Sequence, residues 1–405
     1  MKARKLIFII LIFGFMNIYG QADSAYMKKR HECTCPMFYA NNLATHPFGI
    51  FISRVNNNFK IRAEKKASLK LNISSGNVWL PYVKGYVPLN NEDQAFMSQF
   101  MWHDRETHFD PEKMPHETLG FTADGIFRLY SFSLTVPVTS NQEVMVRFRS
   151  FSIDNMHFPY LTTDNFIEWF HDNVSGDGDL FGRREYGFDH VYYSYTDKNG
   201  RSINLPKGQM IFSGIELSYF YYPKIEFLNK NNFYLNAGVQ AGMNVSEINP
   251  SADLGINSTI TKRFAFKKRD LFLAFSGGIL RQHIVSFSDQ RVELGERDFL
   301  YTGEIMLTYR RHINNNVCID FATSYYVQSA YNIPHEFDYI VLTGKRRNHW
   351  NHALLDLYHP ITDNTFSLTV TSKKFAISLY IREDFKVDNA PDIQIGSAVK
   401  FYFNK

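Results

Sequence analysis

The densest run of chemistry-bearing side chains lies between positions 168 and 189: Glu168, His171, Asp172, Asp177, Asp179, Arg183, Arg184, Glu185 and Asp189. Acids set against arginines across a lumen make the narrow, charged constriction that sorts permeating solutes. Glu168, His171, Asp172, Asp177, Asp179, Arg183 and Arg184 are therefore candidates for a constriction or a plug folded into a lumen. Acid-rich glycine loops such as Ser175-Gly176-Asp177-Gly178-Asp179 also offer carboxylate oxygens to calcium, although this spacing fits no standard calcium loop. The plain alternative is a solvated loop.

The other candidates are thinner. Asn199-Gly200-Arg201-Ser202 resembles part of the active-site stretch of outer-membrane phospholipases. Those enzymes carry a His-x-Ser just upstream, in which histidine activates the nucleophile. Here the nearest upstream histidine is His190, followed by Val191-Tyr192, so the pair is missing; Asn-Gly more simply turns a hairpin. Three groups could supply metal ligands: His103, His108 and His116; His349, His352 and His359; and His31, Cys33 and Cys35. None has the spacing of a closed zinc site or of a His-Glu-x-x-His helix. No phosphate-binding glycine loop or nucleotide fingerprint is present. The expectation is no metal, no cofactor and no enzyme. The three cysteines form no disulfide framework; Cys33 and Cys35 would pair only with strain. Lys29-Arg30-His31-Glu32 is the wrong context for a lipid anchor on Cys33.

These residues must be positioned by something, and the stretch 231–246 indicates what. Phe233, Leu235, Ala237, Val239, Ala241, Met243 and Val245 are all apolar. Tyr234, Asn236, Gly238, Gln240, Gly242 and Asn244 between them are small, polar or amphipathic. Strict period two over this length exceeds the usual soluble strand of about 5–6 residues. It suits a membrane-crossing strand, which needs about 9–11 residues, with one face in lipid and one toward a wet lumen.

The first residues agree. Lys2, Arg4 and Lys5 precede an apolar run at 6–16 and a small residue, Gly20, before Gln21-Ala22, the layout of a secretory signal peptide over 1–22, cleaved after Gly20 or Ala22. No other stretch is long and apolar enough to span as a helix, and mean hydropathy is −0.28. Aromatic residues reach 16%, with 37 Phe and 24 Tyr, enough to furnish interfacial girdles. Formal charge is only +4, three of it in the signal region, so nothing argues for nucleic acid.

Residues 23–62 are irregular, with turn formers at Asn41-Asn42, His46-Pro47 and Asn56-Asn57-Asn58. They form a non-barrel segment on the periplasmic side or one tucked into the lumen. From 63 to 405 strands dominate. Alternation at 67–73 ends at Ser74-Ser75-Gly76-Asn77. A proline-rich loop insertion follows at 80–120, with one short helix around 92–102. Strands at 126–138 and 143–153 form a hairpin. A second insertion, 160–189, carries a helix over 163–172 capped by Thr163 or Asp164. Strands then recur at 190–195, 210–222, 232–245, 254–264, 271–281, 300–310, 317–327, 338–343, 365–371, 375–382 and 393–403. The fold class predicted is all-β: an antiparallel transmembrane β-barrel of about 12 strands, within 10–14, even-numbered as bacterial barrels are. The aromatic-rich last strand would close it and remove exposed edges.

Three stretches together resemble an uncharacterised family of bacterial outer-membrane proteins, a domain of unknown function. They are Tyr39-Ala40-Asn41-Asn42-Leu43-Ala44-Thr45-His46-Pro47-Phe48-Gly49; Phe166-Ile167-Glu168-Trp169-Phe170-His171-Asp172 with Gly178 and Arg183-Arg184; and Glu383-Asp384 with Pro391-Asp392. His46 departs from the asparagine that the family favours before proline. The resemblance implies a barrel and its location, and no activity.

Three functional expectations follow: first, a passive or gated pore for small solutes in the cell outer membrane; second, a structural, assembly-related or partner-binding barrel; third, a barrel-type lipid-modifying enzyme. The partners expected are outer-membrane lipid and the barrel-assembly machinery.

Overall fold

A computed structural model describes residues 38–39, 48–86, 92, 118–156, 160–175, 184, 187–197, 199–266, 268–288, 292–293, 297–331, 341–342, 360–383 and 393–403. The signal peptide over 1–22, the three histidine and cysteine groups and most of the helix expected around 92–102 lie outside them.

Fifteen strands are present among the described residues: β1 Ser68–Tyr86, β2 Thr118–Thr139, β3 Gln142–Asp154, β4 Tyr192–Thr196, β5 Ser202–Asn204, β6 Ile211–Tyr221, β7 Phe233–Asn244, β8 Ser251–Ala265, β9 Arg269–Ser286, β10 Phe299–His312, β11 Val317–Gln328, β12 Val341–Leu342, β13 Ile361–Ser372, β14 Phe375–Glu383 and β15 Ile393–Tyr402. Twelve form a closed antiparallel barrel in the order β1-β2-β3-β6-β7-β8-β9-β10-β11-β13-β14-β15 and back to β1. The seam runs from Ser68 opposite Tyr402 to Gly76 opposite Gln394. Closure satisfies every edge, as a sheet in lipid requires.

Side-chain alternation shows which way each face points. On β7, Val239 and Met243 are about half exposed, whereas Asn236, Gln240 and Asn244 are buried. The same inversion runs round the wall: outward Ile73, Leu217, Ile256, Ile305, Phe321 and Leu379 are exposed, and inward Asn72, Glu216, Thr259, Glu304, Asp320 and Ser378 are buried. A soluble barrel would be reversed; this one is apolar outside and polar inside, and spans a membrane. Phe375, Phe401 and Phe403 mark one aromatic level; Phe212, Phe299 and Tyr301 mark the other.

Tight connections such as Thr139 to Gln142 and Ser372 to Phe375 gather at one end, together with a single helical turn, α2 (Glu226–Lys230). The long connections gather at the other end. There β4 and β5 extend the sheet beyond β3 by pairing with β2.

The structure differs from the sequence reading in two places. β1 does not end at Ser74-Ser75-Gly76-Asn77: small polar residues read as a turn are ordinary wall residues when the inner face is polar. It continues to Tyr86, and Pro81 falls where the β1–β2 register shifts, a bulge that tolerates its missing N–H. The strand expected at 338–343 is described only as β12, which adds to the tip of β1 at Gly85 and Tyr86 and takes no part in the barrel.

Candidate functional site: a plug in the lumen

Residues 48–67 occupy the lumen, running from the long-connection end to the short-turn end, where Ser68 begins β1. At the upper end, the turn Gly49–Phe51 packs into an aromatic cluster of Phe48, Phe51, Phe127, Phe151, Tyr193 and Tyr195. Phe51 meets Phe151 edge-on at 5.3 Å between centroids, and Phe48 meets Tyr195 at 5.2 Å. Gly49 is needed there, because a Cβ would collide with the Tyr331 ring.

Below this dry cap the contacts are polar. Ser53 Oγ donates to Asn244 Oδ1 at 3.1 Å. The Arg54 guanidinium stacks over Tyr326 at 4.1 Å and faces Asp363 at 3.7 Å. Asn56 is held three ways: its N–H donates to Gln240 Oε1, and its amide to Glu216 Oε2 and Ser218 Oγ. Asn57 donates to Glu304 at 2.8 Å, and Asn58 to Tyr222 at 2.7 Å. The wall returns bonds to the plug backbone: Gln240 to Arg54 O at 2.9 Å, Asn236 to Asn58 O at 2.7 Å and Arg149 to Ile52 O at 2.9 Å. No residue from 53 to 67 is in a strand, so wall side chains take the place of a ladder.

Two charge clusters anchor the segment. Glu216, fully buried, accepts from Arg147 Nε at 2.7 Å and pairs with Arg149 Nε at 2.8 Å. At the lower end Glu64 is gripped by Lys400, by Lys60 at 3.0 Å and by the Ser68 hydroxyl at 2.6 Å. Burial pushes the Glu64 carboxyl up, but the Lys400 and Lys60 ammoniums outweigh it and hold it down at about 2. Beside the plug lie cavities of about 20 Å³, one lined by Tyr39, Arg54, Asn57, Arg147, Glu304 and Tyr326, another by Ile52, Arg149 and Ser213 among others. Each has room for about one water. Of the two placements expected for 23–62, the lumen is the one observed for its described part.

The insertion 160–189 sits elsewhere. Thr163 caps α1 (Asp164–Phe170), as expected: the Phe166 N–H donates to Thr163 Oγ1 at 3.3 Å. The segment then folds over the outer wall. Asn77, on the outward face of β1, donates to Asp164 Oδ1 at 3.0 Å. The outward Arg128 of β2 faces the outward Asp154 of β3 at 3.3 Å and donates to Met156 O at 3.0 Å. The insertion thus shields a polar patch of the wall. Glu168 is buried and meets Arg184 at 3.4 Å; Arg184 also pairs with Asp172. His171 opens the helical turn His171–Ser175. Asp177, Asp179 and Arg183 lie outside the described residues. Glu168, Asp172 and Arg184 therefore come together, but on the outside of the barrel. Among the described residues no group of three or more His, Cys, Asp or Glu could hold a metal ion.

Asn199-Gly200 makes the β4–β5 turn, with Gly200 at φ 76° and the Asn199 and Arg201 N–H groups on Asp197 Oδ1. Ser202 shares a hydrogen bond with Thr196 across the β4–β5 pair. One constellation was not visible in sequence: His312 Nε2 lies 2.8 Å from Asp270 and His312 Nδ1 3.3 Å from Cys318 Sγ. Nucleophile, base and orienter are the parts of covalent catalysis, but Cys318 is fully buried and Arg263 also holds Asp270. The trio ties β9, β10 and β11 together.

No family model matches the chain, so the resemblance to the uncharacterised family gains no support from one. No curated protein matches it either. Among solved structures it is similar to an outer membrane channel from Pseudomonas putida, with 11% identity, 86% of this chain and 100% of that chain covered and a TM-score of 0.40. It is similar to the NanC porin, with 9% identity, 68% and 94% covered and a TM-score of 0.34. It is also similar to LpxR from Salmonella typhimurium, with 6% identity, 83% and 100% covered and a TM-score of 0.35. At these scores the likenesses carry no argument; the closed twelve-strand barrel rests on the strand pairing of this chain.

Proposed function

We propose that this protein is a gated channel for small solutes in the outer membrane, and that residues 48–67 are its gate. The observation that carries the reading is the way the plug is held. Below the aromatic cap, wall and plug meet through exchangeable side-chain bonds, and the wall behind them there is polar. A permanent filling needs no such lining, whereas a lumen that opens to water does. A barrel of about twelve strands lies between those filled by side chains and those leaving an open channel, so displacing one segment decides conductance. The outer membrane is the setting that suits a girdled barrel preceded by a secretory signal. The reading assigns no catalytic group and no cofactor.

A cross-link tests it. Ser53→Cys with Asn244→Cys, in a Cys318→Ser background, bridges plug and wall where the two side chains are 3.1 Å apart. Reduced protein in a planar bilayer is expected to open in voltage-dependent steps; oxidation holds it closed and a reductant restores the steps. Openings that persist unchanged after oxidation overturn the gate. Silence in both states favours a second reading, a structural or partner-binding barrel that never conducts. That reading is supported by the dry aromatic cap around Phe51, which has the packing of a permanent core.

A further inference from the structure

We propose that the outer wall holds one lipid acyl chain in a groove headed by Leu161 of the folded-back insertion. The groove encloses about 660 Å³ and is lined by Leu161, Leu307, Phe321, Phe366, Leu379 and Ile395, among others. The strand residues in this set alternate with inward polar ones and face outward. Leu307, Phe321, Phe366 and Leu379 are 41–59% exposed. They belong to the membrane-facing band of β10, β11, β13, β14 and β15, so the bilayer already covers this surface and supplies the occupant.

The direction of the groove fits a chain. Leu307 lies just past the middle of β10 and Ile395 near the long-connection end of β15. The groove therefore descends obliquely from the rim toward the middle of the membrane, the path an acyl chain takes from its headgroup. Leu161 closes it at the rim. Leu161 is placed by the polar patch beneath the insertion: Asn77 donates to Thr162 O at 3.4 Å and to Asp164 at 3.0 Å. The insertion also exposes Trp169, Phe170 and Val174, side chains of the apolar and aromatic kind that anchor proteins in a bilayer interface. The insertion thus carries polar bonds to the wall on one side and lipid contacts on the other. This inference rests on the transmembrane fold and is independent of whether the lumen conducts.

Native mass spectrometry of the full-length mature protein tests it. The protein is extracted in detergent, delipidated and then mixed with dioleoyl phosphatidylethanolamine. The wild type is expected to retain one lipid per chain. Leu161→Asp reduces that population at least tenfold and Leu161→Met leaves it unchanged. Leu217→Asp, outward on β6 at the opposite wall, also leaves it unchanged. Heat-modifiable gel mobility confirms that each variant is folded. A wild type that retains no lipid overturns the proposal. So does equal retention by Leu161→Asp, or equal loss in Leu217→Asp.

Discussion

Glu216 shows how the lumen turns charge into structure. One carboxylate with no exposed surface receives Arg147, Arg149 and the Asn56 amide. Removing one partner of a buried pair leaves the others uncompensated and costs about 3–5 kcal/mol. Glu216→Ala is therefore expected to lower the temperature at which the folded gel band is lost. Glu216→Gln, which keeps a hydrogen-bonding group, lowers it less. An unchanged transition in both variants contradicts the role given to Glu216. Glu64 adds a pH dependence. Its carboxyl is held at about 2, below its ordinary 4.5, so its stabilisation is complete above about pH 4.5 and is lost as pH falls toward 2. Channel openings should become more frequent through that window. Glu64→Gln, which lacks the ion pair at every pH, should open more often and respond less steeply to acid. The same steep response in Glu64→Gln counts against it.

At the scale of the strand, alternation is the information that matters, and it separates two kinds of substitution one residue apart. Val239→Arg on β7 puts a charge in the lipid-facing band, at a cost of about 2–4 kcal/mol near the bilayer midplane; barrel yield in lipid should fall. Gln240→Ala removes two bonds to the plug, at about 1–3 kcal/mol for the groups left unpaired; yield should hold while openings increase. If both variants lower yield alike, the faces have been misassigned. Alternation is also why most of the wall could be read from sequence. β7 was legible because apolar residues recur at every second position, and β15 because they do so at all but Ser397; β1 was cut short because Ser74, Gly76 and Pro81 carry no apolar signal. The helix at Asp164–Phe170 and its Thr163 cap were legible from local spacing. The side of the wall on which it lies was not, because that depends on the outward Asn77 and Arg128, distant in sequence and silent about direction.

For the whole molecule, the barrel was written in the chain, whereas its filling was only one of two placements left open for residues 23–62. Asn56, Asn57 and Asn58 look like turn formers, yet each spends its amide on a different part of the wall: Glu216 and Ser218, Glu304, and Tyr222. Such contacts link residues more than 150 positions apart and leave no periodicity. The charges at 168–189 drew attention because they are clustered, whereas the luminal charges are scattered along the chain from Lys70 to Lys400. The resulting molecule is a polar-lined cylinder in lipid whose lumen is closed by the chain segment that precedes its first strand. Single-channel conductance after deletion of residues 23–60 tests that claim most directly, with heat-modifiable mobility used to show that the barrel still forms. Steady open conductance is predicted, while a barrel lacking only 164–175 stays as closed as the wild type. A silent barrel after the first deletion, or steady opening after the second, contradicts it.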